Sequence, residues 1–410
     1  MYLASVTQRN RLFDVATRWF ADRPEPEDGR FVTQVFIFES VIWAPTIRRF
    51  VLDILCRRHP GPVRLRRLHS KDELRSALVS AYADLTGRPA QLLAEFRQHP
   101  DEFFPGTPAD LVLATDASER PVALVRIKRL RRIAEKASRR VADFLADRIN
   151  EVARRLAEQR AAAAGIPFDR LFSSSEAMLD DFARAERLVS LAFRDDVPTF
   201  AKRDLRVDDV LGVKFLGTDE ELARVEHEIS AHPLVTGVQR EEHRGTYNDI
   251  NLLVDLALPP AEQIIQAAQG YDWGFAAGRG LSPQALACEF PAYVRGGEGT
   301  VRAEVILTTS EELIESEFGR AIHEQRIVEQ RGSAPYSGRI ASNASFLIEY
   351  LLMLAISPAV TIDRLPVRMW GRYLPDIFSL AVWDLFGIRL ELEAVDAFAE
   401  QGEPRTPCRE

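Results

Sequence analysis

Two acidic residues stand at the edges of apolar runs that read as strands: Asp209 in VDDVLGVKF (Val207 to Phe215) and Glu304 in VRAEVILT (Val301 to Thr308). A carboxylate beside a core is costly unless something pairs with it, so both positions ask for a partner. If the two strands lie side by side, Asp209 and Glu304 face one cleft. That is a place for a divalent cation and a nucleotide phosphate chain, since hard carboxylate oxygens bind such cations together with phosphate. The plain alternative is two ordinary strand ends. Asp208 precedes Asp209, and one of a consecutive pair must point outward in a regular strand.

A basic set answers the acidic one. Arg126 and Lys128 lie two positions apart at the end of a candidate strand, so strand periodicity sends them the same way. Lys136 is about two helical turns further on. The arginine fork offers paired donors and the lysines act as point charges, which suits a triphosphate held from one side. The stretch from Arg126 to Arg140 is also basic enough to be a solvated helix face.

The elements that must position these groups follow from pattern. Leu111 to Ala114, a turn through Asp116, Ser118 and Glu119, and Val122 to Arg126 read as a β-hairpin. A long helix follows, with Leu130, Ile133, Ala137, Val141, Phe144, Ile149, Val152 and Leu156 on one face, and Ser173 to Glu176 announces another. After the Asp209 strand come a helix over Asp219 to Ser230, strands over Leu234 to Gln239 and Tyr247 to Leu258, and the Glu304 strand. Thr309 to Gln325 reads as a helix capped by Ser310. The order of elements predicts an α+β (α/β mixed) fold. Gly270, Gly274, Gly278 and Gly280 lack the spacing of a dinucleotide fingerprint.

On either side of this unit, residues 1–108 and 331–410 read as an N-terminal unit and a mostly helical C-terminal extension. The first holds helices over Leu3 to Phe20 and Thr46 to Arg58, a Val-, Phe- and Ile-rich stretch from Phe31 to Trp43, and a capping box of Ser70 with Glu73. No chemistry is assigned to it, and Arg64, Arg66 and Arg67 read as a solvated face. A chain of 410 residues exceeds what one core usually serves, so two or three packed units are expected. A net charge of −8 argues against a general nucleic-acid coat. Cys56, Cys288 and Cys408 have no zinc spacing, which points to a reduced, cytoplasmic protein. The start of the sequence has no apolar run suited to a signal peptide. Phe346 to Ile362 is interrupted by Glu349 and Pro358 and is short of the about 20 apolar residues of a bilayer crossing, so a buried helix and no membrane are expected.

Four patches together resemble the RelA/SpoT-type (p)ppGpp synthetases. Arg126-Ile-Lys128 with Lys136 is similar to their R-x-K…K element, and VDDVLGVKF to their D-x-x-G-[IV]-R strand, with Lys214 at the final arginine. RGTYNDINLLVDL looks like their G-Y-x-S-x-H-x-x-V segment, with Tyr247 at the tyrosine and Asn251 at the histidine. AEVILTTSEELIESEFGRAIHEQ is similar to E-x-Q-x-R-T followed by A-E-[YF]-G and a histidine, placing Glu304, Glu317 and His323 without a gap. The likeness covers residues 109–330, with a helical insertion at about 137–200.

The resemblance implies a nucleotidyltransferase-like mixed sheet flanked by helices and transfer of pyrophosphate from ATP to the 3′-hydroxyl of GDP or GTP. Asp209 and Glu304 would bind Mg²⁺ and carry catalysis with Arg126 and Lys128. Lys136, Lys214, Tyr247 and Asn251 would join Arg126 and Lys128 in nucleotide binding, Tyr247 by stacking on the acceptor base. The sequence departs from the family at Thr246, Asp249, Asn251, Ile306 and Thr308. These changes fall mostly on the acceptor side and bring in an adenine nucleotide or a tRNA 3′ end as alternative acceptors. A nucleotide sensor without turnover and a non-nucleotide interaction protein are the other readings, and an oligomer is compatible with the sequence. No histidine followed by His-Asp marks a (p)ppGpp hydrolase unit in the first hundred residues.

Overall fold

A computed structural model of the protein describes residues 1–59, 61–82, 84–103, 106, 108–195, 200–243, 249–319, 338–373 and 375–388. The strands in chain order are β1 (Tyr2–Leu3), β2 (Arg64–Ser70), β3 (Pro108–Thr115), β4 (Pro121–Ile127), β5 (Arg206–Val207), β6 (Leu211–Leu216), β7 (Val235–His243), β8 (Asp249–Ala257) and β9 (Thr300–Thr308). The α-helices are α1 (Arg9–Phe20), α2 (Asp28–Arg58), α3 (Lys71–Ala81), α4 (Gly87–Gln98), α5 (Leu130–Ala163), α6 (Ser175–Arg194), α7 (Asp219–Ser230), α8 (Ala261–Ala267), α9 (Pro283–Arg295), α10 (Ser310–Phe318), α11 (Arg339–Met353) and α12 (Pro375–Leu385).

Seven strands form one mixed sheet in the order β2-β3-β4-β6-β9-β8-β7, while β1 and β5 make a small parallel pair. Only β6 and β9 run parallel within the large sheet, and they sit at its centre. The α+β class is therefore as expected, with helices on both faces of a mixed sheet. Period-two alternation divides the sheet residues between two faces. Leu211, Val213 and Phe215 of β6 and Val301, Ala303 and Val305 of β9 pack against Phe50 and Ile54 of α2 and Leu222 and Val225 of α7. On the other face Leu124, Leu216, Leu111 and Leu113 meet α3, α4 and α10 through Leu74, Leu78, Phe96, Leu313 and Phe318. That cover reaches only one end of the face.

The helical elements make a third core, in which α1, the first half of α2, α5, α6, α9 and α11 bury Trp19, Phe38, Val141, Phe193, Phe290 and Leu351. The stripe expected along α5 is found as Ile133, Ala137, Val141, Leu145 and Ile149. Residues on both sides of the boundaries expected near 108 and 331 share strands and cores: β2 is an edge strand of the large sheet and α11 packs on α5. The Phe31 to Trp43 stretch and the Thr46 to Arg58 helix form one helix, α2, running through Pro45. Its first half is buried nearly all round, which hides the helical period in the sequence. The cap of α10 is Thr309 and not Ser310. Its expected end beyond Gly319 lies outside the described residues. Among the described residues no helix is long and apolar enough to cross a membrane.

Candidate functional site

The end of the second face that α3, α4 and α10 do not reach is built by strand register. Arg126 of β4 pairs with Gly212 of β6, Gly212 with Glu304 of β9, and Glu304 with Leu253 of β8, so one row crosses four strands with its side chains on one side. Gly212 leaves that row open between a cation and an anion. A Cβ there would meet Cγ and Nε of Arg126 at 3.4 Å and Oε2 of Glu304 at 3.8 Å.

Lys128 continues β4, its N–H donating to the Val210 carbonyl at 2.8 Å. Its ammonium pairs with Asp209 Oδ2 and stands 3.7 Å from Glu304 Oε2. Lys136, near the start of α5, pairs with the same Asp209 oxygen. The strand expected over Val207 to Phe215 is in fact broken between β5 and β6, and Asp209 lies in the break. The break lets two consecutive acids serve different partners: Asp208 takes Arg206 and Arg302, and Asp209 takes the lysines. Burial alone would raise the Asp209 carboxyl, yet Lys128 and Lys136 outweigh it and hold the group at about 2. Burial lowers Lys128 to about 8 in spite of Glu304 and Asp209.

Lys214 is two positions along β6 from Gly212 and on the same face. It is buried, and burial reinforced by Arg126 brings its ammonium to about 8. Glu317 of α10 takes Lys71 Nζ at 2.7 Å, and its carboxyl, which burial would raise, is lowered by Lys71, Lys214 and Arg126. At the other end of the face Arg302 forms a two-point pair with Asp255, at 2.7 and 2.6 Å. Asn251 of β8 donates from Nδ2 to Glu304 Oε1 at 3.4 Å. Asn251 Oδ1 and Glu304 Oε2 are buried and have no hydrogen-bond partner among the described residues.

Of the residues singled out by sequence, Arg126, Lys128, Lys136, Asp209, Lys214, Asn251 and Glu304 thus meet on one face of one sheet. Tyr247 and His323 lie outside the described residues. Sequence reasoning missed Lys71, which comes from the first hundred residues, where no chemistry was expected. Its only sequence signal is a place next to the Ser70 cap. It also missed the Asp208–Arg302–Asp255 network, although charged residues in otherwise apolar strands were there to be seen.

Among the described residues no group of three or more His, Cys, Asp and Glu is placed to hold a metal. Two carboxylates do converge on one cation, the Lys128 ammonium, and Oδ1 of Asp209 has no hydrogen bond from a described residue. That donor set fits Mg²⁺ bound jointly with phosphate oxygens, the usual arrangement for this ion. The Arg126 side chain makes no hydrogen bond or ion pair with a described residue. Comparison with family models, with curated proteins and with solved structures gives no match.

Proposed function

We propose that the chain is a Mg²⁺-dependent pyrophosphoryl transferase with a nucleotidyltransferase-like centre, using ATP as donor and a nucleotide ribose as acceptor. The observation that carries this reading is the meeting of Arg126, Lys128 and Lys136 with Asp209 and Glu304 around the gap at Gly212. Cations on long stems and acids at strand positions are the parts that phosphoryl transfer uses, since its catalysis is mostly positioning and charge stabilisation.

In this reading Lys128 and Lys136 exchange Asp209 for the donor phosphates, and Arg126 takes two oxygens with its fork. Asp209 and Glu304 would hold Mg²⁺, which neutralises charge building up on the phosphate oxygens. The acceptor 3′-oxygen forms a bond to the β-phosphorus, the bond from that phosphorus to the α,β-bridging oxygen breaks, and AMP leaves with the electron pair. Glu304 takes the hydroxyl proton. The three cations stabilise the moving group and the leaving AMP. The resemblance favours GDP or GTP as acceptor; Asp249 and Asn251 keep ADP, ATP and a tRNA 3′ end in the panel.

The test is incubation with labelled ATP and each acceptor, followed by chromatography for AMP and the pyrophosphorylated product. Asp209→Ala and Glu304→Ala, checked for folding by circular dichroism, should abolish both. Undiminished product from both variants removes the assignment. A second reading, a nucleotide sensor without turnover, is favoured by the engagement of both lysines with Asp209. It requires calorimetric ATP binding with no AMP released.

A further inference from the structure

Buried acceptors without donors are uncommon in folded proteins, and each calls for a missing partner. Two of them belong to one hydrogen-bonded pair in the cleft. A carboxylate only accepts, so the Asn251 amide must turn its NH₂ group toward Glu304 Oε1, and its own oxygen is left over. Glu304 is left with Oε2, which stands 3.7 Å from the Lys128 ammonium. When Lys128 turns to a phosphate, that oxygen becomes available. The pair then presents two acceptors, one anionic and one neutral.

We infer that Asn251 and Glu304 together read the vicinal 2′,3′-diol of the acceptor ribose, with Asn251 Oδ1 accepting from one hydroxyl and Glu304 Oε2 from the other. A diol supplies two donors, one for each of the two orphaned oxygens. Acidic side chains bind ribose hydroxyls in this way in dinucleotide sites. The phosphate-binding cations of the same face supply the other end of a nucleoside phosphate. Asn251 has a second effect: by holding Oε1 it fixes the rotation of the Glu304 carboxyl, so that Oε2 faces the hydroxyl. An asparagine cannot take a proton at neutral pH, so this role is one of position and selection, and the proton goes to Glu304. The inference rests on the pyrophosphoryl-transfer reading and names the part of the acceptor that the site selects.

The experiment compares GDP with 2′-deoxy-GDP, and ADP with 2′-deoxy-ADP, in wild type and in Asn251→Leu and Asn251→Ser, by calorimetric affinity and by product formation with ATP. In wild type the deoxy form of the accepted nucleotide should be weaker by about 10–100-fold, the cost of leaving one buried acceptor unpaired. In Asn251→Leu the ribo and deoxy forms should fall within about threefold of each other, because the acceptor is absent from both complexes. Asn251→Ser, which keeps a small acceptor, should retain part of the preference, and melting curves establish that both variants are folded. Equal affinity and turnover for ribo and deoxy forms in wild type overturns the inference while leaving pyrophosphoryl transfer in place. No binding and no product with any nucleotide overturns the transfer reading, and this inference with it.

Discussion

Lys214 imposes the clearest cost in the cleft, and replacing it with methionine tests whether that cost is electrostatic. Its ammonium is lowered from 10.5 to about 8 by burial, with Arg126 and Lys71 adding repulsion that Glu317 and Asp249 only partly offset. A drop of about 2.5 units corresponds to about 3 kcal/mol at 1.36 kcal/mol per unit. Between pH 8 and 10.5 the unfolded chain holds this proton and the folded chain does not, so stability rises with pH across that window. Below about pH 8 both states are protonated and the folded protein bears the whole penalty. Lys214→Met keeps an unbranched stem and removes the charge. It should stabilise the protein at pH 7 by about 1–3 kcal/mol, the lower figure allowing for Glu317, which loses one cation and keeps Lys71 and Arg126. Urea unfolding of both proteins at pH 7, 8, 9 and 10.5 gives the difference directly, and other titrating groups cancel in it. The advantage of the variant should shrink by about 3 kcal/mol over the upper range. Affinity for ATP should fall by about tenfold at the same time, since a charge retained at such a penalty is retained for use. A variant that is less stable at pH 7, by an amount that stays constant to pH 10.5, would show that packing and not charge governs this position.

Other substitutions probe the surroundings. Lys71→Met strips the buried Glu317 of its closest cation and should cost about 3 kcal/mol at pH 7, most of it recovered in the double variant with Glu317→Gln; a neutral single variant in urea melts refutes the pairing. Gly212→Ala places a methyl in ordinary contact with Arg126, so stability should change by less than about 1 kcal/mol while ATP affinity drops about tenfold, and unchanged calorimetric affinity would count against the gap as a phosphate seat. Glu39 is buried and accepts from Thr7 N–H at 2.9 Å and Tyr293 O–H at 2.8 Å, so Glu39→Gln should cost about 2 kcal/mol by turning an amide NH₂ toward donors. Burial raises the Glu39 carboxyl, so the stability it contributes is fully present below pH 4.5 and is lost as the pH rises through the folded value; the gap to the variant should be widest in acid. Removing Mg²⁺ with EDTA should weaken ATP binding about tenfold, because lysines drawn to phosphate leave Asp209 and Glu304 facing it unneutralised; equal affinity with and without the ion rejects that coupling.

Much of the site was legible because its positions follow from short-range periods. Alternation in the Glu304 strand and in Leu211 to Leu216 assigns each side chain a face, and the two-position step from Arg126 to Lys128 with the turn count to Lys136 brings three cations to one edge. Helix starts at Ser70 and Ser174 were legible through local caps, each of which accepts from a backbone N–H three residues on. What was not legible is set by tertiary partners. Nothing local links Lys71 to Glu317, because their meeting depends on α3 and α10 packing over the same sheet edge. The break at Asp208 and Asp209 is likewise decided by where Arg302 and the two lysines stand, and not by the propensity of the residues themselves. Tertiary packing also made α2 one helix where the sequence pointed to a helix only over Thr46 to Arg58.

Central strands of a mixed sheet are ordinarily apolar on both faces, because helices cover both. Along β6 that rule holds at Leu216, weakens at the buried Lys214, and fails at Gly212 and the adjoining Asp209, as the cover from α3, α4 and α10 comes to an end. Such a gradient is borne by pairing most of the charges: Lys71 meets Glu317, the two lysines meet Asp209, and Arg302 meets Asp255. The pairs differ in how easily they can be exchanged. Arg302 and Asp255 are locked by a planar two-point contact between neighbouring strands, whereas Lys128 and Lys136 reach Asp209 on flexible stems. Structural pairing therefore closes the two ends of the charged face, and the exchangeable pairing falls in the middle, beside the one row position that has no side chain. An anionic ligand entering there can take over the ammonium groups without dismantling either end of the sheet.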